Sequence, residues 1–101
     1  MRKVPAPLPA LGMVEGLKLT AHDLPATLFV RWNTLNGVNS FEVQLSPDPM
    51  TEDGWEMVQS SPNTRTVLEN LTSGTRQWVR VRGVSGDGRG PWSQPAGKIV
   101  P

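Results

Sequence analysis

Residues 77–84 read Gln-Trp-Val-Arg-Val-Arg-Gly-Val, a run in which valines alternate with arginines. Successive side chains of a β-strand point to opposite faces of the sheet. The two valines in the middle of the run are therefore predicted to face a core, and Trp78, Arg80 and Arg82 to point outward. The run is predicted to be a half-buried strand.

The same two-residue period recurs along the chain, separated by segments rich in Gly, Pro, Asn and Asp. These separating segments have the chemistry of turns, and no segment has the three-and-four apolar spacing of a helix. Inward-facing positions are expected from Leu17 to Ile99. The fold class predicted is all-β, an antiparallel two-sheet sandwich of about seven strands. Besides 77–84, the predicted strands are 17–19, 28–32, 41–45, 55–58, 64–68 and 98–100.

Composition limits the kinds of site that the chain can hold. It has 101 residues, the usual size of one domain, and no cysteine. A disulfide framework, a thiolate metal site and a cysteine nucleophile are therefore excluded. The formal charge is +1, with acids concentrated in residues 42–69 and bases in residues 76–98. This distribution favours charge pairing between neighbouring strands over nucleic-acid binding.

The N-terminal residues differ in composition from the rest. Residues 4–9 read Val-Pro-Ala-Pro-Leu-Pro, which favours an extended, semi-rigid linker. Residues 1–14 are therefore predicted to be a proline-rich linker and residues 15–101 a folded domain. The first ten residues lack the apolar core of a secretory signal, and no run is long enough for a membrane span.

Several short motifs occur in a fixed order over residues 15–100: Leu17, Val30-Arg31-Trp32, Phe41-Glu42-Val43, Leu68, Leu71-Thr72-Ser73-Gly74-Thr75, Val79-Arg80-Val81 and Gly90-Pro91-Trp92-Ser93. Their order and spacing resemble the fibronectin type III family. The resemblance implies an immunoglobulin-like topology, with strands A, B and E in one sheet and C, C′, F and G in the other. It also implies that Trp32 is a core residue.

One position departs from the family pattern. The family usually has a tyrosine at the start of strand F, where this chain has Gln77. Glutamine can bond to the backbone but buries less apolar area than a phenol ring. The turn before strand F is therefore expected to be held less firmly than in typical members.

Residue types that could carry catalysis do not form a recognisable motif. His22 is the only histidine and is predicted to lie in the loop between the first two strands. The acid-rich residues 48–59 do not match a calcium loop, because Met50 and Gln59 occupy ligand positions. We therefore predict no catalytic residue, no metal site and no cofactor.

The outward residues of strand F and the loop after it form a candidate partner-binding site. Trp and Arg are enriched at binding hot spots, but they also stack on each other within a sheet. Both a structural stack and a protein-binding patch fit the pattern. In the glycine-rich loop, aspartate precedes arginine, so the Arg-Gly-Asp adhesion tripeptide of some family members is absent. The candidate residues are Trp78, Arg80, Arg82, Trp92, Asp87 and Arg89.

The resemblance implies a non-catalytic module that acts as a spacer or protein-binding domain of a larger polypeptide or assembly. Two alternatives stay open: a structural or decoration domain of a bacterial or phage surface or particle protein, and an accessory module of a secreted glycan-degrading enzyme. The partner class compatible with this interpretation is a protein of unknown identity, and neither nucleic-acid binding nor membrane insertion is expected. The isolated domain is expected to be monomeric. The family implies an extracellular or particle-surface location.

Overall fold

The computed structural model describes residues 11–86 and 88–101, and within these residues the chain forms β-strands and one short 3-10 turn. No helix in this part of the chain is long and apolar enough to cross a membrane. The turn spans Glu52–Gly54. The strands are β1 (Lys18–Thr20), β2 (Leu28–Arg31), β3 (Ser40–Pro47), β4 (Glu56–Ser61), β5 (Arg65–Leu68), β6 (Arg76–Ser85), β7 (Gly88–Arg89) and β8 (Ala96–Ile99).

The strands form two antiparallel sheets. One sheet has the order β1-β2-β5, and the other has the order β4-β3-β6, with β7 and β8 both paired to the far side of β6. The predicted all-β sandwich is confirmed, including the division of strands between the two sheets.

The last strand of the predicted sandwich is divided into β7 and β8. Pro91 and Pro95 lie between these two strands and lack the N–H that a continuous ladder needs. Ser93 bridges the gap, because its N–H donates to the Val81 carbonyl at 2.8 Å and its Oγ accepts from the Val81 N–H at 3.0 Å. Contact with β6 is therefore kept across the break.

The core lies between the two sheets and follows the predicted alternation. Val79 and Val81 are 0% exposed. Trp32, expected in the core, is buried and packs edge-on against Phe41, with ring centroids 5.5 Å apart. The buried cluster contains Val14, Leu19, Val30, Trp32, Phe41, Val43, Leu68, Val79 and Val81.

Two residues near the ends of the domain differ in burial from what the sequence predicts. Ile99 was expected to face inward but is 54% exposed, because β8 pairs it with Arg76 on the outward face of β6. Val100 is buried in its place. At the other end, Val14 belongs to the predicted linker by sequence, yet it is 2% exposed and part of the core. The prolines of that linker lie outside the described residues.

At the start of β6, hydrogen bonds occupy the place where the family usually has a tyrosine. The half-buried Gln77 donates from Nε2 to Thr75 Oγ1 at 3.0 Å, and that hydroxyl donates to the Thr72 carbonyl at 2.6 Å. A polar relay therefore ties the strand to the preceding turn. It supplies hydrogen bonds but little apolar burial.

Replacing Gln77 with tyrosine is expected to raise the free energy of unfolding by about 1 kcal/mol, because the ring adds apolar burial and its hydroxyl can bond the turn. Urea unfolding of the variant and the parent measures this. Gln77→Ala is the control and should unfold at a lower urea concentration than the parent. A tyrosine variant with an unchanged or lower midpoint would show that the relay already fills the corner.

Candidate functional site

Two arginines on the outward face of β6 are paired with polar residues of β3. The register places Arg80 opposite Gln44 and Arg82 opposite Glu42. Arg80 Nε donates to Gln44 Oε1 at 2.8 Å, and Arg82 Nη2 lies 2.7 Å from Glu42 Oε1. Each guanidinium is therefore held at a fixed place on the sheet by its cross-strand partner.

The same guanidinium groups lie against tryptophan rings. Arg80 Cζ is 4.4 Å from the ring centroid of Trp55 and 4.4 Å from that of Trp92. Arg82 Cζ is 4.2 Å from the Trp92 centroid. The order Trp55, Arg80, Trp92, Arg82 is called the Trp/Arg stack below. It is a run of three cation–π contacts across the five-stranded sheet.

The charges in the stack are close together and partly desolvated. Burial lowers the pKa of the Arg80 guanidinium, and the nearby charge of Arg82 lowers it further. An arginine still keeps its proton at neutral pH, because its ordinary pKa lies far above that range. Glu42 offsets the positive charge: it accepts from Arg82 and also from Arg89 Nε at 3.2 Å.

Local backbone geometry places each of the two rings. The Ser93 bonds to Val81 fix the loop beside β6, and Trp92 is the neighbour of Ser93, so its ring lies between the two arginines. Trp55 follows the 3-10 turn, where Gly54 donates to the Thr51 carbonyl at 3.1 Å. A Cβ at Gly54 would lie 2.9 Å from Thr51 Oγ1, so the turn is tight enough to favour glycine.

Trp78 lies on the same outward face but outside the Trp/Arg stack. Its Nε1 donates to Asp48 Oδ1 at 2.9 Å, and the guanidinium nearest its ring belongs to Arg76, at 5.9 Å. Its ring covers Gly97, where an added Cβ would come within 2.7 Å of ring carbons. Trp78 therefore packs against the backbone of β8.

The six candidate residues fall into separate groups in the structure. Arg80, Arg82 and Trp92 lie together, Arg89 reaches the group through Glu42, and Trp78 stands apart. Asp87 lies outside the described residues. Sequence reasoning missed Trp55 as a member of the stack. Its alternation with Glu56 assigns it to a strand. Because the β3–β4 pairing contains a register shift, the two-residue period does not identify the residue that lies across from it.

His22 lies beside an aromatic ring. It is exposed, and its ring lies 4.7 Å from that of Phe29 in an edge-on arrangement. Glu52, Asp53 and Glu56 are also exposed. Across residues 11–86 and 88–101, no three His, Asp or Glu side chains are grouped so that they could hold a metal ion.

Taken together, two antiparallel sheets in this strand order, packed around one core with a stacked outer face, define an immunoglobulin-like β-sandwich module. The chain belongs to the fibronectin type III family, since the family model for the fibronectin type III domain matches residues 13–98. The resemblance carried by the sequence motifs is confirmed.

The chain is also similar to part of one relative in sequence and to solved structures in fold. The chain is 38% identical over 56 residues to the proto-oncogene tyrosine-protein kinase ROS of Gallus gallus, a match over 55% of this chain and 2% of the kinase. It therefore spans about 2% of that relative's length. A Fn3-like protein from Clostridium thermocellum is 22% identical with a TM-score of 0.76, covering 88% of this chain and 90% of that one. The twitchin kinase region from C. elegans is 16% identical with a TM-score of 0.78, covering 92% and 17%.

Replacing Arg80 with alanine is expected to lower the free energy of unfolding by about 1 to 2 kcal/mol, because two ring contacts and the packing of the side-chain stem are lost. Arg80→Lys keeps the charge but not the planar group, so about half of that loss is expected. Urea unfolding measures both. Unchanged stability in the alanine variant would contradict a structural stack and would favour a binding role for the same residues.

Replacing Ser93 with alanine is expected to cost about 1 to 3 kcal/mol, because the buried Val81 N–H loses its acceptor. The Trp92 ring should also become more exposed, which tryptophan emission can follow during urea unfolding. Ser60→Ala, at an exposed site on β4, is the matched control and should change stability by less than about 0.5 kcal/mol. Equal effects of the two substitutions would show that the Ser93 bridge does not hold the loop.

Proposed function

We propose that this chain is a non-catalytic spacer module that holds neighbouring parts of a larger polypeptide or assembly at a fixed separation. The single observation that carries the proposal is the position of its two ends. The first described residues and the last ones lie at opposite poles of the sandwich.

At one pole, the chain enters beside the loops that follow β2 and β7. Leu11 Cβ lies 2.9 Å from where a Cβ at Gly90 would be, and Leu35 Cδ2 lies 3.6 Å from where one at Gly12 would be. The entering segment is therefore packed against two loops of the domain.

At the other pole, the chain leaves beside the loop that precedes β2. The Ala26 N–H donates to the Pro101 carbonyl at 2.8 Å, and the Gly74 N–H donates to the Val100 carbonyl at 2.8 Å. The loops before and after β2 are necessarily at opposite ends of that strand. Strand β6 has ten residues, which is about 33 Å of sheet along the same direction.

The Trp/Arg stack supports a mechanical role over a binding role for its own face. Both guanidinium groups already have an acceptor and at least one ring. A partner would have to compete with these contacts to use the arginines. The stack instead joins β6 to β3, to the segment before β4 and to the loop before β8, which resists shear between them.

Distance between the poles can be measured directly because the chain has no cysteine. Fluorophores on Gly12→Cys and Pro101→Cys are expected to give one narrow energy-transfer distribution, at about 30 to 40 Å from the length of β6. The same labelled chain in urea is the control and should give a broad distribution. A broad or multiple distribution for the folded chain would contradict the spacer role, whatever the chain binds.

A further inference from the structure

The outer face of the three-stranded sheet carries a row of three cations. The pairing places Lys18 opposite Arg31, and Arg31 opposite Arg65. Directly opposed residues point to the same side of a sheet, and this side is outward because Val30, their neighbour in β2, is buried. Adjacent strands lie about 4.8 Å apart, so the row is about 10 Å long at the backbone. We call it the cationic row.

The cationic row has no ion-pair partner among the residues that the structure describes, where both salt bridges belong to Glu42 on the other sheet. Like charges opposite each other in a sheet repel. By contrast, Arg80 and Arg82 each have a side-chain acceptor. A negatively charged ligand would relieve the repulsion in the row.

A second row, beside the first, is largely apolar. The same register aligns Thr20 with Phe29 and Phe29 with Val67, each two residues along its strand from a member of the cationic row. Val67 is 43% exposed, and His22 packs edge-on to Phe29. The two rows are about 7 Å apart along the strands. We call this second row the apolar row.

A shallow groove of about 290 Å³ joins the two rows. Its lining includes Phe29 and Val67 from the apolar row and Arg31 and Arg65 from the cationic row. The groove is therefore suited to a ligand that carries negative charge and an apolar group a few ångströms apart.

We propose that this face binds an extended acidic segment of a partner protein, with carboxylates on the cationic row and an apolar side chain on the apolar row. Alternate side chains of an extended peptide are about 7 Å apart, the same distance that separates the two rows along the strands, so a segment lying along the strands can place a carboxylate on the cationic row and its next same-side apolar side chain on the apolar row. Arginine also binds carboxylate in a planar, two-point manner. Such binding would be additional to the spacer role and does not depend on it.

A polyanion such as nucleic acid fits this face less well. Its binding rests on many phosphate contacts spread along the chain, whereas the cationic row is short and borders the apolar Phe29 and Val67. The juxtaposition of charge with apolar surface favours a protein segment that offers both.

The test uses a short synthetic peptide in which glutamates alternate with threonines around one phenylalanine, labelled for fluorescence anisotropy. Binding to the full chain is expected to weaken as salt is raised. Arg31→Glu should weaken it about fivefold or more, because an attraction becomes a repulsion. Arg76→Glu, which makes the same charge change on the other sheet, is the matched control and should bind like the parent. Val67→Ser should weaken binding without changing net charge.

Circular dichroism of each variant establishes that the fold is retained before binding is compared. Equal weakening by the changes at Arg31 and Arg76 would overturn the proposal, since it would show attraction to net charge alone. An analogue with glutamine in place of glutamate that binds as well as the acidic peptide would also overturn it. A single-stranded oligonucleotide that binds more tightly than the acidic peptide, with an affinity that Val67→Ser does not change, would overturn it as well. Sedimentation tests whether the parent chain self-associates. If it does, and if Arg31→Glu abolishes the association, the occupant of this face is a second copy of the chain and the proposal is overturned.

Discussion

The ladder between β3 and β6 is the contact that fixes both faces of the larger sheet. It pairs Val43 with Val81 on the core side and Glu42 with Arg82 on the outer side. A slip of one residue would turn valines toward solvent and arginines toward the core. Burial and charge pairing therefore specify the same register. Because β7, β8 and the Ser93 loop all attach to β6, their positions follow from this one alignment.

Alternation predicts which way a side chain points, and this is why much of the fold can be inferred from the sequence. It places Val79 and Val81 inward and Trp78, Arg80 and Arg82 outward, as the structure has them. It does not say which outward residues touch. Contact depends on register with other strands, on the shift in the β3–β4 pairing and on the gap before β8. For this reason the sequence does not identify Trp55 as a member of the Trp/Arg stack, and it groups Trp78 with the stacked residues although Trp78 lies outside the stack.

The other differences between predicted and observed burial occur near the two ends of the domain. Ile99 follows the parity of β8, which is set by its pairing with Arg76 and not by its own hydrophobicity. Val14 precedes the first strand and shows no alternation, yet it closes one end of the core. Residues outside regular strands carry no periodic signal, so their burial depends on tertiary contacts that a single sequence does not display.

The two outer faces differ in how their charge is balanced. On the larger sheet, Glu42 and two tryptophan rings surround the arginines at short distance. On the smaller sheet, Lys18, Arg31 and Arg65 rely on water to screen them, which keeps each repulsion to about 1 kcal/mol or less at a few ångströms. A fold can tolerate that cost without a partner, whereas a buried unpaired charge would cost far more. The open face is thus compatible with a stable free domain.

The proposed spacing and the proposed binding use different parts of the sandwich. The chain enters and leaves at the poles, beside Leu11 and Pro101, whereas the cationic row lies on the outer face of the three-stranded sheet, at the end of β2 that leads into the loop of the Leu11 pole. Neighbouring segments attached at the poles would leave that side accessible. Lys18, Arg31 and Arg65 are exposed, and their long side chains extend beyond the backbone and can adapt to an incoming carboxylate. In the proposed spacer role the stacked sheet keeps the length of the domain fixed, and in the proposed binding the cationic row of the other sheet holds the partner segment.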